Sequence, residues 1–253
     1  MKQYDTESCP ILTKRALAGN CFDVTVRAEI LAPKAKPGQF AHIRVPGKML
    51  RRPISICSIG ADTLRFVFQV RGEGTEILSH LEPGDTMDLL APLGNGFPLA
   101  QGAKCAAFVG GGIGTPPLLG AAAAFSGQKL AVLGFRSKDA VILEDDFRAA
   151  GCKTHVTTND GSYGTPGLVT AVLEQESFDV CYACGPATML RAVAALCAAR
   201  GVPCFVSLEE RMACGVGACL GCAVALRHAD GTEYYGHVCK DGPVFCAQDV
   251  IFA

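Results

Sequence analysis

The chain has 253 residues, 49% of them hydrophobic and 19% charged, with a formal net charge of −1. That length can bury a sizeable core and accommodates two or three domains. With no basic run anywhere, the composition argues against nucleic acid or an anionic membrane surface as a partner.

The N-terminus, MKQYDTESCPILTKRALAGN, lacks the apolar stretch of a secretory signal. Fourteen cysteines in such a chain point to a reducing cytoplasm, with most thiols free and serving as small buried hydrophobes. Residues 1–100 read as all-β. Apolar runs such as FDVTVRAEIL and TLRFVFQV are separated by turn signals, including Pro37-Gly38 and Pro83-Gly84, and predict a barrel. Two elements in this half carry chemistry. The run Arg51-Arg52-Pro53-Ile54-Ser55-Ile56 places a guanidinium, suited to phosphate oxygens, three residues before a hydroxyl that suits a flavin ring nitrogen. The loop Gly72-Glu73-Gly74-Thr75 opens the short helical pattern EILSHL, and its N–H groups suit a pyrophosphate. Each has a plainer reading, a solvated arginine pair and an ordinary turn.

From about residue 101 to 207 strands alternate with helices. CAAFVG, KLAVLGF, KTHVTT, FDVCYAC and PCFVSL read as strands; PLLGAAAAF, a segment near VILEDDFRAAG, LVTAVLEQE and ATMLRAVAALCAARG read as helices. That rhythm predicts a parallel, doubly wound sheet. The stretch from Cys105 to Gln128 has no charge, but GGGIGTPP breaks it, so it reads as strand, loop and helix rather than a membrane span. Gly110, Gly111, Gly112, Gly114 and Thr115 form a dinucleotide-type loop between strand and helix, although Pro117 replaces the third glycine of the usual pattern. Cys184-Gly185-Pro186 ends a strand and opens a helix, where a thiolate is favoured and ligands bind. This makes Cys184 the candidate residue of a nicotinamide pocket, with a core role as the alternative. Cys181 and Cys184 form a C-x-x-C, but residues three apart on a strand face opposite sides, so no redox pair is expected. Arg136 and Lys138 suit a 2′-phosphate or are solvated loop charges, which leaves NAD against NADP open.

Residues 208–253 are rich in glycine and cysteine. Cys214, Cys219 and Cys222 form C-x4-C-x2-C, and Cys239 follows in HVCKDGPVF. This is the plant-type spacing for a [2Fe–2S] cluster. Gly215, Gly217 and Gly221 supply unusual dihedrals and N–H groups free to point at sulfur. Structural zinc prefers paired C-x2-C units, and disulfides are not expected in the cytoplasm. His42, His80, His155, His228 and His237 show no ligand spacing, and surface or packing roles are expected for them.

Together, Arg52 to Ser55, Gly110 to Gly114 and Cys184 to Met189 resemble the ferredoxin–NADP reductase superfamily. With RRPISI, GEGT, GGGIG, CGPATML, CGVGACLGC and VCKDGPVF in this order, the chain looks like the electron-transfer subunits of dihydroorotate dehydrogenase B. The resemblance implies FAD at Arg52, Pro53, Ile54, Ser55, Gln69, Val70, Arg71, Gly74 and Thr75, a [2Fe–2S] cluster on Cys214, Cys219, Cys222 and Cys239, and NAD as acceptor. It also implies a separate FMN-containing catalytic subunit that oxidises dihydroorotate in pyrimidine synthesis, as a heterotetramer of two plus two. The chain has no room for a second barrel of about 250 residues to do that itself. Thr115 departs from the small apolar residue expected there, and Cys246 is an extra cysteine with the wrong spacing to replace Cys239. The alternatives are a reductase subunit of the NAD(P)H–ferredoxin or sulfide dehydrogenase type, whose endings look more like C-x-DGPEF, and a non-catalytic redox sensor.

Overall fold

In the computed structural model, which describes residues 4–252, the first half is a closed six-stranded antiparallel barrel. Its strands are β1 (Asp5–Leu17), β2 (Cys21–Arg27), β3 (Phe40–Ile43), β4 (Arg52–Ile59), β5 (Thr63–Gln69) and β6 (Thr86–Leu93), in the order β1-β2-β5-β4-β3-β6. Alternation fills the interior: Leu64, Phe66 and Phe68 point inward from β5, and Met87, Leu89 and Ala91 from β6. Two strands turn the corners. β1 pairs with β6 over Asp5–Pro10 and with β2 beyond Ile11, where its register shifts. β4 likewise leaves β3 after Ser55 and joins β5 from Ile56. Such irregularities let one strand serve two sides of a closed sheet. β2 ends at Arg27, short of the predicted AEIL: the Ala28 N–H makes one last in-register bond to the Asp62 carbonyl, and Pro33 follows in a 3-10 turn. Helix α1 (Glu73–Ser79) connects β5 to β6.

The second half is a seven-stranded sheet. Its elements are β7 (Cys105–Gly111), α2 (Pro116–Ala124), β8 (Gln128–Phe135), α3 (Glu144–Ala149), β9 (Lys153–Thr158), β10 (Thr165–Pro166), α4 (Val169–Leu173), β11 (Val180–Cys184), α5 (Ala187–Ala199) and β12 (Cys204–Ser207). The order is β10-β9-β8-β7-β11-β12, all parallel, with β15 (Val244–Cys246) added antiparallel to β12. The charge-free stretch is a buried strand, a 3-10 turn at Gly112–Gly114 and α2, and no helix among the described residues is long and apolar enough to cross a membrane. β11 sorts its side chains as the period of two requires: Tyr182 and Cys184 join the core shared with the barrel, Cys181 and Ala183 the opposite one. Cys181 and Cys184 therefore lie on opposite faces.

Three ties hold barrel and sheet together. Cys21, Cys57 and Val67 on the barrel's outer face share a core with Phe108, Leu118 and Phe147. Gly120 of α2 lies so close to β4 that a Cβ there would sit 3.2 Å from the Cys57 carbonyl oxygen. Arg65 on β5 pairs with Asp23 of β2 at 2.8 Å and with Asp146 of α3. The connecting segment is anchored by the fully buried Tyr182, whose hydroxyl donates to the Pro98 carbonyl at 3.0 Å and accepts from the Ala100 N–H at 2.8 Å.

The last segment is mostly loop. A hairpin of β13 (Ala223–Arg227) and β14 (Glu233–His237) follows the cysteine run, and β15 then returns to the edge of the α/β sheet. The segment from 208 onward thus packs on both larger units. Phe40 and Leu93 of the barrel share a small core with Cys222, Val238 and Cys239.

Candidate functional site

The two arginines of the first motif separate. Arg51 turns into the barrel edge, pairing with Asp88 at 2.8 Å and donating to the carbonyls of His42 and Asp88. Arg52 reaches the glycine loop instead. A Cβ on Gly74 would lie 2.5 Å from Arg52 Nε, so only glycine lets the guanidinium rest against the first turn of α1. The loop is braced by the Thr75 hydroxyl, which donates to the Gly72 carbonyl and accepts from the Arg71 N–H, both at 2.9 Å. Arg71 in turn donates to Gln69 at 3.0 Å. A guanidinium beside a helix N-terminus fits a phosphate-bearing ligand. Pro53, Ile54 and Ser55 continue the same strand, paired to His42, Ala41 and Phe40 of β3.

The two glycine-bearing motifs of the α/β half meet at the carboxyl ends of β7 and β11, the point where strand order reverses. Ligands of open α/β sheets bind at such a switch point. A Cβ on Gly114 would lie 2.5 Å from the Cys184 carbonyl oxygen, and one on Gly111 would lie 2.7 Å from Met189 Sδ. Gly112 adopts φ +53°. The Thr115 hydroxyl is fully buried with no hydrogen-bond partner, against Gly110. Cys184 corrects the expectation of a stabilised thiolate. It is buried, and desolvation pushes its pKa up to about 12, outweighing its hydrogen bond with Ser207. The helix that follows begins only at Ala187, and burial beats whatever its dipole supplies. Arg136 and Lys138 stay exposed beyond β8.

The four cysteines of the C-terminal run form two pairs. Cys214 is hydrogen-bonded with Cys219, and Cys222 with Cys239, whereas no three of the four sulfur atoms lie within 4.8 Å of one another. One metal ion needs four ligands converging on a point, but two irons take two cysteines each. Backbone donors surround the sulfurs. The N–H groups of Val216, Ala218 and Cys219 donate to Cys214 Sγ at 3.4, 3.3 and 3.4 Å, and that of Gly217 to Cys239 Sγ at 3.1 Å. Burial works to raise the Cys214 pKa, but these donors outweigh it and hold it down to about 6. Burial, reinforced by the Cys222 thiol, pushes Cys239 up to about 12. The donor set and the pairing fit a thiolate-bound two-iron centre. Cys246 belongs to neither pair: it sits on β15 opposite Phe205. His237 is braced by Asp241, whose carboxylate accepts its N–H at 2.7 Å.

One residue that carries no sequence motif links the two ligand loops. His42, on β3, is buried, and a Cβ on Gly215 would lie 2.7 Å from its Nδ1. Its strand pairs with the one bearing Arg52 to Ser55, so the cysteine loop rests on β3, one strand away from that motif. Burial and the nearby Arg51 lower the His42 pKa to about 4, leaving a neutral ring. Asn95 pins the other side, donating to the carbonyls of Lys240 and Asp241.

A reductase-type barrel and nucleotide-binding sheet joined to a cysteine-ligated iron–sulfur segment define a reductase with the ferredoxin-reductase fold. A ferredoxin reductase of a carbazole 1,9a-dioxygenase shares that fold at 18% identity, TM-score 0.66, over 79% of this chain and 67% of that one. The NADH-dependent reduced ferredoxin-NADP oxidoreductase structure matches far more fully, at 32% identity and TM-score 0.86 over 98% and 91% of the two chains. Residues 209–251 match the family model for the iron–sulfur cluster binding domain of dihydroorotate dehydrogenase B. The dihydroorotate dehydrogenase B (NAD(+)) electron transfer subunit of Bacillus caldolyticus is 45% identical over 97% of this chain and 98% of its own, and that of Caldanaerobacter subterraneus 42% identical over 96% and 97%. The chain belongs to this family of electron transfer subunits.

Proposed function

We propose that this chain is the NAD-reducing half of a cytoplasmic, NAD-dependent dihydroorotate dehydrogenase, taking electrons from an FMN-containing catalytic subunit in a two-plus-two heterotetramer and serving pyrimidine synthesis. The observation that carries the reading is the seating of Gly215 on His42, which sets the cysteine loop against β3, the strand beside the one bearing Arg52 to Ser55. Electron transfer between bound centres depends on that proximity.

In this reading Cys214, Cys219, Cys222 and Cys239 hold a [2Fe–2S] cluster. Arg52 and the Gly74–Thr75 turn hold the FAD phosphates, Pro53, Ile54 and Ser55 line its ring, and Gln69, Val70 and Arg71 border it along the next strand. Gly110, Gly111, Gly112, Gly114 and Thr115 receive NAD beside Cys184. A flavin next to an iron–sulfur centre supplies the exchange between single electrons and hydride. The protein's work is to place these groups and keep water from them. Buried Cys184, which its raised pKa keeps protonated near neutrality, acts there as a shape-setting neutral group. Cys222 and Cys239 face the interior while Cys219 and Leu220 are exposed, so the cluster edge beside Leu220 is the docking face for the catalytic subunit.

The purified chain, kept anaerobic, is expected to carry iron, acid-labile sulfide and FAD, and to oxidise NADH with artificial acceptors. Orotate is expected only when the FMN subunit is added. Orotate formed by the isolated chain would overturn the division of labour, and a ferredoxin-linked partner on co-purification would favour the other reductase class.

A further inference from the structure

Three thiols outside the candidate site converge inside the α/β sheet. Cys181 on β11 and Cys204 on β12 are register partners on adjacent parallel strands, and Cys197 comes from α5. Their sulfur atoms all lie within 4.8 Å of one another. Some point therefore lies within about 2.8 Å of all three atoms, close to the roughly 2.3 Å of a metal–thiolate bond. All three residues are buried, in an apolar cluster that includes Leu190, Val193, Val206 and Ala247. Hydrogen bonding joins the three thiols, lowering the Cys197 pKa and raising that of Cys181.

Two properties select the ligand. The group has three members, so a tetrahedral ion such as zinc lacks a fourth protein ligand there. The apolar lining penalises net charge, and three thiolates around a monovalent ion would bury two negative charges. A trivalent centre bound by three sulfurs is neutral. We propose that Cys181, Cys197 and Cys204 form a buried three-thiol binding site for trivalent arsenic, taken up as arsenous acid. Three S–H and three As–O bonds break, three As–S bonds form, and three water molecules leave. Arsenic stays trivalent, no electron moves, and reactants and product are all uncharged. Arsenous acid is small and neutral, as entry into a buried apolar cluster requires. Occupancy cross-links α5 to the two strands beneath it. The inference does not rest on the electron-transfer reading.

The test uses the complete chain with its iron centre in place, under anaerobic conditions with a thiol-free reductant. The protein is mixed with arsenite, desalted, and assayed for arsenic and iron. The expected result is one arsenic per chain with iron unchanged, and an X-ray absorption spectrum showing three sulfur neighbours at about 2.3 Å. Cys197→Ala is expected to retain at least tenfold less arsenic, and Cys105→Ala, which removes a half-buried thiol outside the group, as much as the parent. Should Cys197→Ala fail to fold, the parent's spectrum decides. An oxygen neighbour in that spectrum, equal retention by Cys197→Ala, or arsenic uptake matched by iron release would each overturn the site.

Discussion

At the scale of single residues, the glycines of the cysteine loop make opposite kinds of close approach. Gly215 and Gly217 both adopt left-handed backbone, at φ +71° and +80°. That alone costs a side chain about 1–2 kcal/mol. Gly215 faces the buried His42 ring, whereas Gly217 faces the flexible aliphatic stem of Lys240. Gly215→Ala is therefore expected to lower the melting temperature and the iron content clearly more than Gly217→Ala, as thermal unfolding and iron assay will show. The cysteines divide in the same way. Cys222→Ala should reduce bound iron at least tenfold, because one iron loses half its protein ligands, while Cys246→Ala should leave iron unchanged. Iron loss in Cys246→Ala would mean the ligand set is misassigned. The four proposed ligands were legible in the chain because their chemistry imposes a local spacing. His42 was not, because it reaches the loop through a pairing of strands and loops far apart in sequence.

At the scale of elements, the joint between barrel and sheet rests on Arg65. Its guanidinium holds Asp23 of β2, a carboxylate that is almost fully buried, and Asp146 of α3. Burial would raise the Asp23 pKa, but its hydrogen bonds with Arg65 and Arg15 lower it below its ordinary value. Arg65→Met leaves that charge with Arg15 only, and is expected to cost about 3 kcal/mol at pH 7, the low end for a broken buried pair. The sign of the pH dependence follows from the lowered pKa. Asp23 contributes its stabilisation fully above its unfolded pKa of about 3.9 and loses it as pH falls through the folded value. The gap between parent and Arg65→Met should therefore narrow below about pH 4, which denaturant melts at the two pH values will measure. Nothing in the local sequence of β2, β5 or α3 marks this triad. The sheet's strands were legible because buried parallel strands read as continuous apolar runs, but β15, three residues long, is too short to carry a period.

At the scale of the whole molecule, the cluster segment is wedged between two larger bodies, with one edge open. Phe40 and Leu93 cover its inner side, and Leu220 is 60% exposed on the outer one, beside the exposed Cys219. A charge placed at that edge should impair docking without touching the route from NADH to the barrel. Leu220→Asp is expected to lower NAD-linked orotate production with the catalytic subunit at least tenfold. NADH oxidation with artificial acceptors by the isolated chain should stay within twofold of the parent. Equal loss of both activities would show that the substitution damages the chain itself.

The amino-acid order determined the succession of barrel, doubly wound sheet and cysteine segment, the four cysteines proposed as ligands, and the glycine loops proposed to receive phosphates. Each of these is written in neighbouring residues: a period of two, an apolar run, a fixed ligand spacing, a glycine before a helix. Only the tertiary structure decided that Arg51 turns to Asp88 while Arg52 meets Gly74, that Cys184 is buried, and that Cys181, Cys197 and Cys204 meet. Those outcomes depend on which surfaces are buried against which, and burial belongs to the folded chain, not to any stretch of it.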